Sequence, residues 1–157
     1  MSRVQLALNV ADIDEAVTFY SKLFGVAPAK RRPGYANFAI AEPPLKLVLI
    51  EDPNQVPGSL NHLGVEVGST EEVAAAQARL AGHGLATASE EQASCCYAIQ
   101  DKVWVDGPGG EPWEFYTVLG DADSPAGALR SALAGESACC ATRPEPAAPA
   151  SQDTSCC

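Results

Sequence analysis

Basic residues are scarce in this chain of 157 residues: ten lysines and arginines against twenty aspartates and glutamates leave a formal net charge of −10. Phosphate backbones and anionic membrane surfaces are gripped through basic patches, so nucleic acid and membrane are both excluded as expected partners. Long apolar runs are also missing. No stretch approaches the roughly 18 residues of a membrane-spanning helix, and the chain runs straight into Arg3-Val4-Gln5 without an apolar signal-peptide core. The expectation is a cytoplasmic protein that works on a small molecule. Hydrophobic residues nevertheless make up 46% of the chain, enough for the core of one domain or of two small modules sharing one.

Cysteine is the residue in surplus. Six are present, and all six fall in adjacent pairs: Cys95-Cys96, Cys139-Cys140 and Cys156-Cys157. In a reducing compartment this favours metal binding or thiol chemistry over a disulfide framework. Neighbouring Cα atoms lie about 3.8 Å apart, closer than a disulfide prefers, so such a pair is better placed to grip one soft atom than to bridge itself. Thiophilic metals and metalloids are held in this way. The bland alternative for Cys95-Cys96 is a buried apolar pair.

A shift of 57 positions lays the second half of the chain over the first, so that Leu6, Leu8 and Val10 fall on Leu63, Val65 and Val67. Asp12 with Glu15, and then Ser69 with Glu72, repeat a helix-capping pattern, and the helix stops at Gly25 and Gly82 correspond. Ala16, Phe19, Tyr20, Leu23 and Phe24 recur at helical spacing, which predicts that this set carries the apolar face of the first helix. Strands are expected over residues 3 to 10, 34 to 40 and 45 to 50, then a short one near 85 to 90, another from about 96 to 105, and a last one from 112 to 118. Both halves therefore read as βαβββ. The expected α+β domain spans residues 1–119, with module 1 about 1–51, a linker at 52–59 and module 2 about 60–119. Residues 120–157 are rich in Ala and Pro and are expected to form a tail with a short helix near 126–134; its two cysteine pairs either scavenge a thiophilic ligand or are inert.

Strand parity then selects candidates, because alternate side chains point to opposite faces. With Leu6, Leu8 and Val10 under one helix and Leu63, Val65 and Val67 under the other, Gln5, Ala7 and Asn9 share the opposite face with His62, Gly64 and Glu66. In the last strand Glu114, Tyr116 and Val118 form one set. An imidazole from His62, a carboxylate from Glu114 and an amide oxygen from Gln5 would suit a divalent first-row metal with open positions. Iron, manganese, cobalt, nickel and zinc all remain open on this donor set.

The segments Val4-Gln-Leu-Ala-Leu-Asn-Val10, Ala16-Val-Thr-Phe-Tyr-Ser-Lys-Leu-Phe-Gly25, Asn61-His-Leu-Gly-Val65 and Gly107-Pro-Gly-Gly-Glu-Pro-Trp-Glu-Phe-Tyr116 resemble the vicinal oxygen chelate superfamily, over roughly residues 1 to 119. That superfamily includes glyoxalase I, fosfomycin and bleomycin resistance proteins and extradiol dioxygenases. Within it, Ser94-Cys-Cys-Tyr-Ala-Ile-Gln-Asp-Lys-Val-Trp-Val105 is similar to the branch of cadmium-induced proteins and organoarsenical carbon-arsenic lyases. The resemblance implies paired βαβββ modules forming an open curved mixed sheet around a metal held by Gln5, His62 and Glu114. It implies iron(II) as cofactor, molecular oxygen as co-substrate, and trivalent organoarsenicals such as methylarsenite as substrate. Cys95 and Cys96 would then hold arsenic, with Tyr97 beside them.

Lys102 is a candidate catalytic cation, with a solvated surface lysine as the plainer reading; Lys46 falls where a fourth ligand could sit, but a protonated amine does not ligate. Trp104, Trp113 and Phe38 read as core, and His83 as an exposed residue complementing its helix dipole. Two other functions stay open: a non-catalytic arsenite or cadmium binder, and another metal-dependent resistance enzyme of the superfamily. A complete site can form within a monomer, and a homodimer exchanging modules would use the same residues.

Overall fold

Alternating strands and two capped helices assemble in the order the repeat requires. The computed structural model describes residues 2–123. The expected helix near 126–134 and the cysteines at 139, 140, 156 and 157 lie outside the described residues. The elements are β1 (Arg3–Val10), α1 (Ile13–Phe24), β2 (Lys30–Arg32), β3 (Tyr35–Ile40), β4 (Leu45–Glu51), β5 (Leu60–Glu66), α2 (Thr70–Gly82), β6 (Ala88–Cys95), β7 (Ala98–Asp106) and β8 (Pro112–Asp121).

One mixed sheet contains every strand, in the order β2-β3-β4-β1-β5-β8-β7-β6. Each module's first strand runs parallel to its own last strand, and β1 and β5 pair antiparallel in the middle, joining the two βαβββ units. The sheet is curled, because strands from its two ends meet: Lys30 Nζ in β2 donates to the carbonyl of Tyr97, in the β6–β7 turn, at 3.1 Å.

Local chemistry explains the helices. The Asp12 carboxylate accepts from the backbone N–H groups of Asp14 and Glu15, and Gly25 closes α1 at φ 67°, a conformation that costs glycine little. The buried side of α1 is Ile13 and Val17, with Ala16, Tyr20 and Phe24 packed beside them against Phe38, Leu47 and Leu49. Phe19 and Leu23, expected on that face, are instead 57% and 58% exposed, because the sheet contacts a narrower stripe than the apolar spacing suggested. The second helix ends at Gly82 as the repeat predicts, but Gly82 is its last helical residue: exposed His83 is the C-cap, and the left-handed turn falls at Gly84. Among the described residues, no helix is long and apolar enough to cross a membrane.

The parity reading of β1 holds: Leu6, Leu8 and Val10 pack under α1, while Gln5, Ala7 and Asn9 are buried on the other face. In β7 the hydrogen bond from Thr70 Oγ1 to Asp101 ties the odd-numbered side to α2, so Gln100, Lys102 and Trp104 face the concave side.

Candidate metal centre and thiol pair

Three neighbouring strands deliver one donor each to the concave face. Gln5 lies opposite Gly64 in the β1–β5 ladder, and Gly64 lies opposite Glu114 in the β5–β8 ladder. A Cβ at position 64 would approach Glu114 Cγ to 3.1 Å and Gln5 Cβ to 3.3 Å, so the missing side chain lets those two lean together across β5. His62, two residues before Gly64, joins them from the same face. Gln5 Nε2 donates to Glu114 Oε1 at 2.8 Å and lies 2.9 Å from His62 Nε2, while His62 Nε2 and Glu114 Oε1 are 3.4 Å apart. All three side chains are buried.

The His62 tautomer is selected from behind. Asn9 donates to Ser59 Oγ at 2.9 Å, Asn61 Nδ2 donates to Asn9 Oδ1 at 2.9 Å, and Asn61 Oδ1 therefore faces His62 Nδ1 at 2.7 Å. Nδ1 carries the proton in this chain, which leaves the Nε2 lone pair turned toward Gln5 and Glu114.

Glu114 is the charged centre of the group. Burial alone would raise its pKa, but the Lys102 ammonium, 2.8 Å from Oε2, outweighs that and holds it below the ordinary carboxylate range. A carboxyl depressed in the folded state stabilises the fold above its unfolded pKa and loses that contribution as pH falls through the folded value. The contribution is therefore complete well above the unfolded value of 4.5 and is lost as pH falls below it. Urea unfolding of chelator-treated protein should therefore show stability falling between pH 5 and pH 2.5, with a flatter profile in Glu114→Gln. An identical acid profile in that variant would count against the ion pair.

An ionised carboxylate, an imidazole lone pair and an amide thus converge, and the Gln5 N–H group that donates to the other two stands where a cation would satisfy both. The set could hold a divalent ion through nitrogen and oxygen donors. Groups of three His, Cys, Asp or Glu side chains suited to a metal are absent among the described residues, so an amide is needed as third donor.

The thiols occupy the tip of the β6–β7 hairpin. Cys95 pairs with Ala98, which leaves Cys96 and Tyr97 as a two-residue turn with φ of 53° and 61°. Turns of this kind favour Asn-Gly, and each non-glycine residue in the left-handed region costs about 1–2 kcal/mol. The turn is held in place by module 1: the Tyr97 ring lies 5.6 Å from that of Tyr35, and its hydroxyl is 3.4 Å from the Pro33 carbonyl. The two sulfur atoms are 3.4 Å apart without a disulfide, Cys95 buried and Cys96 partly exposed. Cys95 packs on Trp104, whose ring stands edge-on to His62 with centroids 5.6 Å apart. Tyr97, Tyr35, Ala7, Val48 and Ile50 form an apolar wall with Cys96 packed against it.

Several expectations need correction. Lys102 is 1% exposed and ion-paired, so the solvated-surface reading fails. Tyr97 lies in the turn rather than in a strand beginning near residue 96, because β6 extends to Cys95. Trp104 is buried against the thiol and the imidazole rather than in the helix-packed core that holds Phe38, and Trp113 is only partly buried. Lys46 needs no such correction: expected as a protonated amine that does not ligate, it pairs with Glu66 at 3.0 Å. Three participants escaped the sequence reading: Asn61, Tyr35 and Glu90. Burial raises the Glu90 carboxyl above its ordinary range despite the opposing pull of Lys102 and Trp104. Its place next to β7 depends on the irregular pairing between Glu90 and Ala93, which has no signature in sequence.

Comparison with known proteins follows the same outline. The family model described as the Glyoxalase/Bleomycin resistance protein/Dioxygenase superfamily matches residues 3–115. A trivalent organoarsenical cleaving enzyme of Thermomonospora curvata is 58% identical over 157 residues, covering 100% of both chains. The cadmium-induced protein CadI of Mycobacterium tuberculosis is 65% identical over 124 residues, covering 79% of this chain and 81% of that protein. Among solved structures, homoprotocatechuate 2,3-dioxygenase from Brevibacterium fuscum superposes with a TM-score of 0.56 at 21% identity, covering 77% of this chain and 38% of the dioxygenase; that likeness concerns the fold alone.

Proposed function

The chain belongs to the glyoxalase/bleomycin resistance protein/dioxygenase superfamily, and from that premise we propose that it cleaves the carbon-arsenic bond of trivalent organoarsenicals, releasing inorganic arsenite. One observation carries the reading: a two-thiol turn and a metal-suited donor set share one concave face, separated by a single ring, Trp104. The relative identical at 58% along the full chain is named for cleaving trivalent organoarsenicals, which supports the same substrate class here.

Cys95 and Cys96 are the substrate grip. A monoalkyl arsenite has two exchangeable hydroxyls; each thiol gives its proton to a departing hydroxyl, two waters leave, and two sulfur-arsenic bonds form. The third substituent, the carbon, stays attached and free to face the donor set. Binding through adjacent residues makes the second exchange intramolecular, which is where the affinity arises. Tyr97, with Tyr35 and Ile50 beside it, gives the organic group an apolar surface on which to rest.

Gln5, His62 and Glu114 would hold iron(II), which supplies activation of molecular oxygen when bound. Asn61 keeps the His62 lone pair available, and Lys102 keeps a positive charge beside Glu114 where negative charge built up during cleavage is stabilised. Glu90 is the neighbour of Lys102 across the β6–β7 ladder.

The decisive experiment incubates iron(II)-loaded protein with methylarsenite in air and reads arsenic speciation together with oxygen consumption. Inorganic arsenite appearing in step with oxygen uptake is expected. Methylarsenite retained on the protein unchanged would leave a thiol binder instead, and turnover without oxygen uptake would remove the dioxygenase-like chemistry.

A further inference from the structure

The hydrogen-bond arithmetic around Gln5 does not close in the orientation its amide adopts. Tyr116 Oη lies 2.6 Å from Gln5 Oε1 and 2.8 Å from Glu66 Oε2. Both neighbours are acceptors, and a phenol has one proton to give. Glu66 has a firm hold on that proton, since its carboxylate is anchored by Arg3 at 3.0 Å and by Lys46 at 3.0 Å and can only accept. Tyr116 is itself fully buried, so no solvent completes the shortfall.

Turning the amide over by half a rotation removes the conflict. Nitrogen and oxygen exchange places at nearly constant shape: Nε2 then donates to Tyr116, Tyr116 donates to Glu66, and Oε1 moves in beside His62 Nε2 and Glu114 Oε1. Without a cation that inner position is hostile to oxygen, because it faces a lone pair and a carboxylate. With a cation between them all three become ligands. The amide therefore has two settings, one satisfied on its inner side and one on its outer side. Only a bound metal satisfies both sides together.

We propose that Tyr116, directed by Glu66, is a positioning residue that turns the amide oxygen of Gln5 toward the metal. The inference rests on the reading that Gln5, His62 and Glu114 bind one. It explains how a neutral amide, a weaker donor than the imidazole common in ferrous triads, serves at this position: its orientation is set in advance by a proton relay with a fixed sense, from Gln5 to Tyr116 to Glu66. Arg3 and Lys46 complete the device by keeping Glu66 an acceptor.

The test is a cobalt(II) titration of the full, metal-free chain, reading affinity and the visible ligand-field bands, with thermal unfolding of the metal-free proteins as the check on folding. Tyr116→Phe keeps the ring and removes the relay; it should weaken cobalt binding by about tenfold or more and shift the bands. In a Gln5→His background there is no amide to orient, and the same change should alter affinity less than about threefold. Glu66→Gln, which no longer fixes the sense of the phenol, should give a smaller loss with the same dependence on Gln5, and it serves as the test if Tyr116→Phe does not fold. Unchanged affinity and bands in Tyr116→Phe, or equal losses in both backgrounds, would overturn the relay while leaving the metal site standing. If the unaltered protein fails to bind cobalt, or His62→Ala binds it equally well, the metal reading itself falls and the relay with it.

Discussion

Cys96→Gly should make the protein more stable and inactive at once. At φ 53° residue 96 sits in the left-handed region, where glycine carries no steric penalty, so the substitution should raise unfolding free energy by about 1 kcal/mol. It also removes one of the two thiols. If arsenic is gripped by both, the second sulfur-arsenic bond is lost, and turnover of methylarsenite at sub-saturating concentration should fall by on the order of a hundredfold or more. Cys95→Ser, which leaves the turn unchanged, should lose activity to a similar degree without gaining stability. Iron occupancy should be unaffected in both, because neither sulfur belongs to the proposed ligand set. Denaturant unfolding, arsenical turnover and metal content on the same preparations decide the matter. A stabilised Cys96→Gly that still turns over at the original rate would mean that the strained turn serves something other than arsenic binding.

The second large effect is expected at Lys102. Its ammonium is buried, 2.8 Å from Glu114 Oε2 and 5.2 Å from the Trp104 ring centre, so it is the main counter-charge of a fully buried carboxylate. Removing one member of such a pair strands the other in a poorly solvated site. Lys102→Met should therefore destabilise the metal-free protein by about 3 kcal/mol at neutral pH. The sign of the pH response should change with it. Glu114, no longer held down by the ammonium, will take up a proton more readily, so the deficit relative to the unaltered protein should shrink as pH falls toward 4. A saturating divalent cation should recover much of the deficit at neutral pH, because it supplies positive charge to the same carboxylate. Urea unfolding with and without cobalt(II), at pH 7 and pH 4, checks both statements. A constant deficit under all four conditions would show that Lys102 contributes through packing alone.

Much of the fold could be read from order along the chain, because the signals concerned are local. Alternation in Arg3–Val10 and Leu60–Glu66, the Asp12 and Ser69 caps, and the 57-residue offset each act over a few residues or repeat in plain view. Period-two geometry then separates the faces without knowledge of the partners. For that reason Gln5 and His62 could be placed on one side of the sheet before any distance was known, and Glu114 with Tyr116 on one side of its own strand. The adjacent cysteines were equally visible. Their position in a turn was not, because it depends on how far β6 extends, and Ala88–Cys95 lacks a clear alternating pattern.

What sequence by itself determined here is the repeated βαβββ architecture, the helix boundaries to within a few residues, and which side chains share a face, since backbone sterics and capping govern all three at short range. Tertiary structure alone decided the contacts between strands that are distant in sequence. Register across β1, β5 and β8 sets Gly64 between Gln5 and Glu114, and the β7–β8 pairing puts Lys102 on the carboxylate. Sheet curl brings Tyr97 onto Tyr35, and the alignment of Glu66 with Tyr116 gives the Gln5 amide its outer partner. These contacts decide whether a lysine is solvated or buried and which way an amide faces, because desolvation and hydrogen-bond completion depend on every group around a site, and residues as far apart as Gln5 and Tyr116 become neighbours only when the sheet closes.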